Sequence, residues 1–310
     1  MNNKIPPRII QTGKSRELPL RAKASVATLR GLNPGFDYRF FDDADVNAFV
    51  KESCPQHFEL FQEFPFRIQR YDFFRYLAVF RLGGFYFDLD VFLAEGLDKL
   101  LDRACVFPFE ELTVSRYLRR QHCMDWEIGN YGFGAAAGHP FLQAVIENCI
   151  RARRDPSWVK PMLVGIPRVF RSDYYVLNTT GPGLLSRTFA ENTGLAKDVT
   201  VLFPDDVCDP TSWHQFGDFG VHLMEGSWRT RGSYLRRRLG NLWEAWASHQ
   251  GLAASRRLGK SRSVQRNGAT GLAVQERVSV ERGPGVSPAT SGGVSPPGTS
   301  RQPGETPALL

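Results

Sequence analysis

The sequence predicts an α/β fold, and three adjacent observations carry that prediction. The most strongly helical stretch of the chain, His57 to Leu82, stops at Gly83-Gly84. An apolar run of about seven residues, FYFDLDV, follows at once and reads as a strand. That run ends in carboxylates, Asp88 and Asp90. A helix, a glycine stop and an apolar strand leading to polar groups is the repeating layout of α/β domains. In open sheets of that class ligands gather at the carboxyl ends of strands.

The other elements follow in order. Residues 4–12 (KIPPRIIQT) read as a buried strand entered through Pro6-Pro7. Ser25 to Arg30 reads as a helix stopped by the turn Asn33-Pro34-Gly35. Phe36 to Phe41 alternates well enough for a second strand. Asp42-Asp43-Ala44-Asp45 should cap a helix running to Glu52, because carboxylates suit a helix's first turn. His57 to Leu82 should break into two helices at Pro65, the second with an apolar face of Ile68, Phe73, Tyr76, Leu77 and Phe80. Downstream, strands are expected at 106–109, 199–203 and 220–223, and helices at 140–153, after the 179–183 loop, and at 233–249. Gly129 to Phe133 is rich in glycine and aromatics, and no element is assigned there.

Length and composition set outer bounds. With 310 residues, 42% of them hydrophobic and 23% charged, the chain can bury a substantial core. Its 23 Phe against 4 Met make that core aromatic. The net charge of +7 is unevenly spread. Residues 251–310 hold eight Arg or Lys against three Glu, a +5 share that leaves only +2 for residues 1–250. The near-neutral part gives no reason to expect a nucleic-acid partner. The tail has no aromatics and many Gly, Pro, Ser and Arg residues, so disorder is expected there, beyond a folded domain of residues 1–250. Five cysteines, odd in number and with no CxxC pair, argue against a disulfide framework or a zinc site and fit a cytoplasmic setting. The N-terminus has no apolar core typical of a signal peptide, and no run of about 18 apolar residues occurs.

Asp88 and Asp90 are the chemical centre of the reading. Two apart on a strand, they would share one face and repel each other. Unpaired carboxylates within an apolar strand are costly. A hard divalent cation, Mg²⁺ or Mn²⁺, relieves that cost and in turn binds diphosphates. Asp72 and Arg75 sit three apart on the preceding helix, where they form either a surface ion pair or a reach toward a nucleotide.

The block Arg70-Tyr71-Asp72-Phe73-Phe74-Arg75-Tyr76, with Gly83-Gly84-Phe85-Tyr86-Phe87-Asp88-Leu89-Asp90, resembles the DxD sugar-binding region of glycosyltransferase family 32. It is also similar to the catalytic domain of large clostridial glucosylating toxins. Weaker flanking likenesses span residues 5–12, 33–43, 130–141, 180–182 and 222–228, and so most of residues 5–230. The resemblance implies a GT-A-type fold, with a mixed central sheet flanked by helices, a divalent cation, and retention of anomeric configuration. It implies that Asp90 binds the metal and that Asp88 contacts the ribose, the sugar or the metal through water. Asp72 and Arg75 would hold the donor sugar and nucleotide, and Asn130 would face the acceptor or the sugar. His222 would complete the metal site, unless it is an ordinary buried histidine. Ser227 and Trp228 would touch the diphosphate, although Trp228 could equally belong to the core. The chain departs from the family where Ile10-Gln11-Thr12-Gly13 lacks the usual His and Trp, which puts the nucleobase contact in question.

The expected function is thus transfer of a hexose-type sugar from a UDP- or GDP-sugar to a glycan or lipid-linked acceptor, as in surface polysaccharide synthesis. Two alternatives stand beside it. Phe87-Asp88-Leu89-Asp90-Val91 also resembles the first motif of haloacid-dehalogenase-type phosphatases, with Pro204-Asp205-Asp206 as the second acidic cluster. That motif wants Thr or Ser where Phe92 stands, and it opens the first strand of its fold. The other alternative is a non-catalytic, cation-dependent sugar-binding module. Finally, Leu235, Leu239, Leu242, Trp243 and Trp246 form a stripe beside Arg236, Arg237 and Arg238. That stripe either packs on the domain or rests peripherally on the inner face of a membrane.

Overall fold

The computed structural model describes residues 4–224 together with Trp243 and Ala247. All of them lie in the first of two compact units, Met1–Ala273. The second unit, Val274–Leu310, and with it most of the basic tail, lies outside the described residues.

The chain opens with β1 (Arg8–Thr12), α1 (Leu20–Leu32) and β2 (Asp37–Phe41). Helix α2 (Asp43–Ser53) starts where the three acids of Asp42-Asp43-Ala44-Asp45 predicted it. The Asp42 side chain accepts the N–H groups of Ala44 and Asp45, and Asp45 returns a bond to the Asp42 N–H. Helices α3 (Phe58–Glu63) and α4 (Arg67–Leu82) flank Pro65 as expected. Gly83 ends α4 with φ 65°, and Gly84 continues at φ 107°. A Cβ on Gly84 would stand 2.7 Å from the Arg8 carbonyl, so only glycine lets β3 (Gly84–Phe87) lie against β1.

Then come β4 (Val91–Leu93), β5 (Cys105–Leu112), α5 (Arg116–His122), β6 (Trp126–Ile128) and β7 (Gly132–Ala135). Helices α6 (Pro140–Arg154), α7 (Pro156–Val159), α8 (Arg171–Thr179) and α9 (Pro182–Glu191) follow, and β8 (Val199–Leu202) and β9 (Gly220–His222) close the described chain.

The main sheet has seven strands, ordered β2-β1-β3-β7-β5-β6, with β8 also paired to β5. Strands β1, β2 and β3 are parallel, β7 runs against both β3 and β5, and β8 is parallel to β5. The result is the mixed α/β sheet expected, with helices packed on it. Its largest core cluster joins α4 (Phe73, Phe74, Leu77) to α6 (Phe141, Val145, Ile146) over Tyr86, Phe107 and Phe133 of the sheet. The other face is covered by α1 through Leu29, against Ile9, Phe85 and Phe87.

Two expectations need correction. FYFDLDV is not one strand. Strand β3 stops at Phe87, Asp88 to Asp90 form a turn closed by the Val91 N–H on the Asp88 carbonyl (3.2 Å), and β4 belongs to a separate two-stranded sheet with β9. Asp88 and Asp90 are therefore brought together by a turn and not by strand alternation. The Gly- and aromatic-rich stretch after Gly129 holds strand β7, which composition had hidden. Its glycines leave room for the rings of Phe85 and Phe87 on the neighbouring strand.

The 233–249 stripe lies outside the described residues except at two helical positions. There, Ala247 is buried and the Trp243 ring packs on Phe170 and Tyr174, 5.6 Å between centroids in each case. At Trp243 the stripe thus faces the domain.

Candidate functional site

The site is built around one buried arginine. Helix α4 carries Asp72 and Arg75 inward, 4% and 3% exposed, which rules out the surface ion pair. Arg75 meets both carboxylate oxygens of Asp88 at 3.1 and 3.2 Å, and Asp72 Oδ1 at 3.2 Å. It also donates to the Asn130 carbonyl (2.7 Å), and its guanidinium lies 4.6 Å from the centre of the Tyr86 ring. A cation bound to two carboxylates in a dry interior is held firmly and stays charged.

A second ring of bonds fixes that arrangement. Thr180 donates its hydroxyl to Asp72 Oδ2 (2.9 Å), and Asn130 Nδ2 donates to Asp72 Oδ1 (3.2 Å) and to the Tyr76 hydroxyl (3.1 Å). Tyr76 donates its hydroxyl to the Thr180 carbonyl (2.9 Å). The side-chain amide of Asn130 is thus engaged inside the protein. On the other side, Tyr86 donates to Asp88 Oδ1 (2.7 Å) and lies 3.0 Å from the Thr12 hydroxyl. Gln11 reaches the Asp88 carbonyl (3.4 Å) and accepts from Tyr38, so the strand that lacks the family's His and Trp still touches the site.

Asp88 and Asp90 stand at the carboxyl end of β3, and β9 brings His222 to them. Strand β9 pairs with β4 so that His222 opposes Val91, and the Leu223 N–H bonds the Asp90 carbonyl (2.9 Å). His222 Nε2 lies 3.3 Å from Asp90 Oδ2, and its ring stacks on Tyr131 at 4.4 Å. One ligand atom from each of Asp88, Asp90 and His222 falls within 4.8 Å of the others, and this is the only such group of three among the described residues. Asp205 and Asp206, the acidic cluster of the phosphatase reading, are both exposed on a loop.

The electrostatics favour a cation. Burial raises the Asp88 carboxyl, Arg75 pulls it down, and Asp90 pushes it up again, for a net rise. Burial likewise lifts Asp72 to about 6, against the pull of Arg75. Burial opposes charge on His222, but the bond and charge of Asp90, with Glu110 and Asp88 behind it, leave the imidazole above its usual value. Three carboxylates face one guanidinium and one imidazole, so negative charge is left over at the Asp88–Asp90 turn. Two hard oxygens and an imidazole nitrogen are a donor set that suits Mn²⁺ or Mg²⁺.

Sequence reasoning missed a further pair. Glu110, on β5, lies 3.5 Å from His214 Nδ1, and both are largely buried. His214 has φ 59°, and its carbonyl accepts the His222 N–H (2.9 Å). Glu110 Oε2, His214 Nδ1 and His222 Nδ1 are buried and make no hydrogen bond. A Cβ on Gly129 would stand 2.4 Å from Glu110 Oε2, so glycine there leaves space for the carboxylate. No motif marks Glu110; only its place near the end of an apolar strand does. Ser227 and Trp228 lie outside the described residues.

Comparison with known proteins now bears on this geometry. Residues 19–107 match the family described as a glycosyltransferase sugar-binding region containing a DXD motif. The chain carries that DXD region. Its Asp88 and Asp90 lie inside it, as do Asp72 and Arg75. Among related sequences, inositol phosphoceramide mannosyltransferase 3 of Schizosaccharomyces pombe is 31% identical over 47% of this chain and 38% of its own length. Mannosyl phosphorylinositol ceramide synthase SUR1 of Saccharomyces cerevisiae is 26% identical over 59% of this chain and 41% of its own. This DXD chain is thus related to mannosyltransferases, and it spans well under half the length of either. Of solved structures, the UDP-bound glycosyltransferase domain of the YGT toxin is similar with a TM-score of 0.44, at 9% identity over 64% of this chain and 80% of that one. The PaToxG glycosyltransferase is similar with a TM-score of 0.42, at 12% identity over 62% of this chain and 72% of that one.

Proposed function

We propose that the protein is a retaining glycosyltransferase that moves a hexose from a UDP- or GDP-sugar to a glycan or lipid-linked acceptor, with a divalent cation held by Asp88, Asp90 and His222. The observation that carries this reading is the convergence of those three residues beside the buried Asp72–Arg75 pair. When bound, the cation supplies counter-charge to the nucleotide diphosphate as it leaves.

The chain's own residues do the rest. Arg75 keeps Asp88 ionised and aimed, and Asp72 balances Arg75 from behind. Asn130 and Thr180 lock Asp72 in place, so these residues act on the donor through the shape of the turn they support. Both Asp72 oxygens are engaged by Thr180, Asn130 and Arg75. With no residue marked as a nucleophile by the sequence, retention is assigned to attack on the same face that the diphosphate leaves. Ser227 and Trp228 are assigned to the diphosphate. The proposed setting is cytoplasmic, peripheral at the inner face of a membrane. No helix among the described residues is long and apolar enough to cross a membrane.

The test is donor hydrolysis across a panel of UDP- and GDP-sugars with Mn²⁺, Mg²⁺ or EDTA. Release of one nucleotide that needs metal supports the reading and names the donor. A folded protein that binds no nucleotide with metal present would instead be a sugar-binding module.

A further inference from the structure

We propose that Phe40, on the strand next to β1, is the platform on which the nucleobase of the donor stacks. The proposal rests on the glycosyltransferase reading and deepens it, by placing the end of the nucleotide that the cation does not hold.

Phe40 stands at the working edge of the sheet. Strands β1, β2 and β3 are parallel, so Thr12, Phe41 and Phe87 end them at one edge, and Asp88 follows Phe87. Phe40 pairs with Gln11, and the pairing of Ile10 with Tyr86 puts Gln11 level with Phe87. By strand alternation Phe40 shares the face of Tyr38, which packs in the cluster beneath α1. Its neighbour Phe41 takes the opposite face and meets Phe49 and Phe74 at 5.6 and 5.2 Å. Phe40 has no such company. It is half-buried, and among the described residues it joins none of the hydrophobic clusters and pairs with no other ring.

The backbone beside it leaves room for the ring. A Cβ on Gly13 would stand 2.8 Å from Phe40 Cζ and 3.2 Å from Leu89 Cδ1. Gly13 is not among the glycines of positive φ, so the ring, and not the backbone, keeps a side chain from that position. Leu89 is the middle residue of the DXD turn. Phe40 and the turn therefore close over the same glycine. Hydrogen bonds hold that register: Tyr38 donates to Gln11 (3.0 Å), Gln11 to the Asp88 carbonyl (3.4 Å), and the Gly13 N–H to the Phe41 carbonyl (3.1 Å). Strand β1 has no ring here, where Gly13 follows Thr12, so the aromatic comes from β2.

The chemistry selects the nucleobase. A nucleotide-sugar carries its base on one side of the diphosphate and its sugar on the other. With the diphosphate at the Asp88–Asp90 turn, the α4 side of the edge holds the polar groups of Asp72 and Arg75, and the α1 side offers Phe40 and Leu89. A flat base suits the second side. Every base has a π-face, so one phenyl ring serves uracil and guanine alike.

Calorimetric titration of the full chain with UDP, GDP and inorganic pyrophosphate, each with Mn²⁺, tests this. Phe40→Ala should weaken binding of the preferred nucleoside diphosphate by roughly tenfold or more and leave pyrophosphate and Mn²⁺ binding unchanged. Phe40→Tyr keeps the π-face and should bind as the parent does. Gly13→Ala displaces the ring and should weaken the nucleotide, again without effect on pyrophosphate. If Phe40→Ala lowers the thermal midpoint, Phe40→Leu keeps the bulk, loses the π-face and makes the same test. Undiminished UDP and GDP binding in these variants would overturn the inference. So would an equal loss of pyrophosphate, which would make Phe40 a support for the turn, and so would a loss confined to the nucleotide-sugar, which would put the sugar on the ring. A parent protein that binds neither UDP nor GDP with Mn²⁺ overturns the transferase reading itself, whereas parental binding that Phe40→Ala retains overturns the platform alone.

Discussion

At the residue scale, Arg75 is the group on which the site's charge balance turns. It is the cation for the buried Asp72 and the half-buried Asp88, and removing it strands both. Arg75→Met should cost about 3–5 kcal/mol in urea unfolding at neutral pH. Without Arg75 both carboxyls rise further, and a carboxyl whose folded value exceeds its unfolded one loses stability as pH rises between the two. The deficit should therefore shrink at pH 5 and grow at pH 8; a deficit equal at both would show that Arg75 is not pairing them. Glu110 makes a separate claim. Its carboxylate lies 3.5 Å from His214, whose carbonyl holds the His222 N–H, and such outer partners typically contribute 10–100-fold to metal affinity. Glu110→Gln keeps the shape and should weaken Mn²⁺ binding about tenfold with the thermal midpoint little changed. Unaltered Mn²⁺ affinity would assign Glu110 to packing alone.

At the element scale, helix α6 offers a pH-dependent start. His139 caps it by accepting the Phe141 N–H on Nδ1 (3.2 Å), which only the unprotonated nitrogen can do. Burial holds this imidazole below its usual 6.5. A histidine with a depressed folded value contributes stability that is complete above 6.5 and is lost as pH falls toward that folded value. Asn accepts the same bond without titrating. Between pH 7.5 and 5.5, His139→Asn should lose less of its thermal midpoint than the parent protein does; equal losses would dismiss the cap as the source. The elements also show how much was legible. Helix α2 was read from its capping acids, and the α3–α4 break and the Gly83 stop from proline and glycine, because each is a local rule written in neighbouring residues. The DXD turn was not. Phe85 to Val91 reads as one apolar run, and only pairing with β7 on one side and β9 on the other divides it. Strand β7 was hidden because its glycines serve the rings of Phe85 and Phe87, a tertiary fact. Asp72, Arg75 and Asp88 were found from the motif, whereas Glu110 and His214 become visible only when β5 and the 214–222 segment meet.

At the scale of the whole molecule, the seven-stranded sheet and the small β4–β9 sheet join at the DXD turn. The large sheet supplies Asp88 with a rigid, Arg75-braced base, and the small one delivers Asp90 and His222. That division places uncompensated negative charge at the carboxyl edge of the sheet. A cation at the turn would neutralise it. The central claim is that Asp88, Asp90 and His222 together hold the cation. It is tested most directly by titrating the protein with Mn²⁺ and following the free-ion EPR signal, with and without UDP or GDP, beside Asp90→Asn. Saturable Mn²⁺ uptake that one nucleoside diphosphate tightens, and that the variant loses while remaining folded, is the predicted result. Uptake that is absent, or equal in the variant, would contradict it.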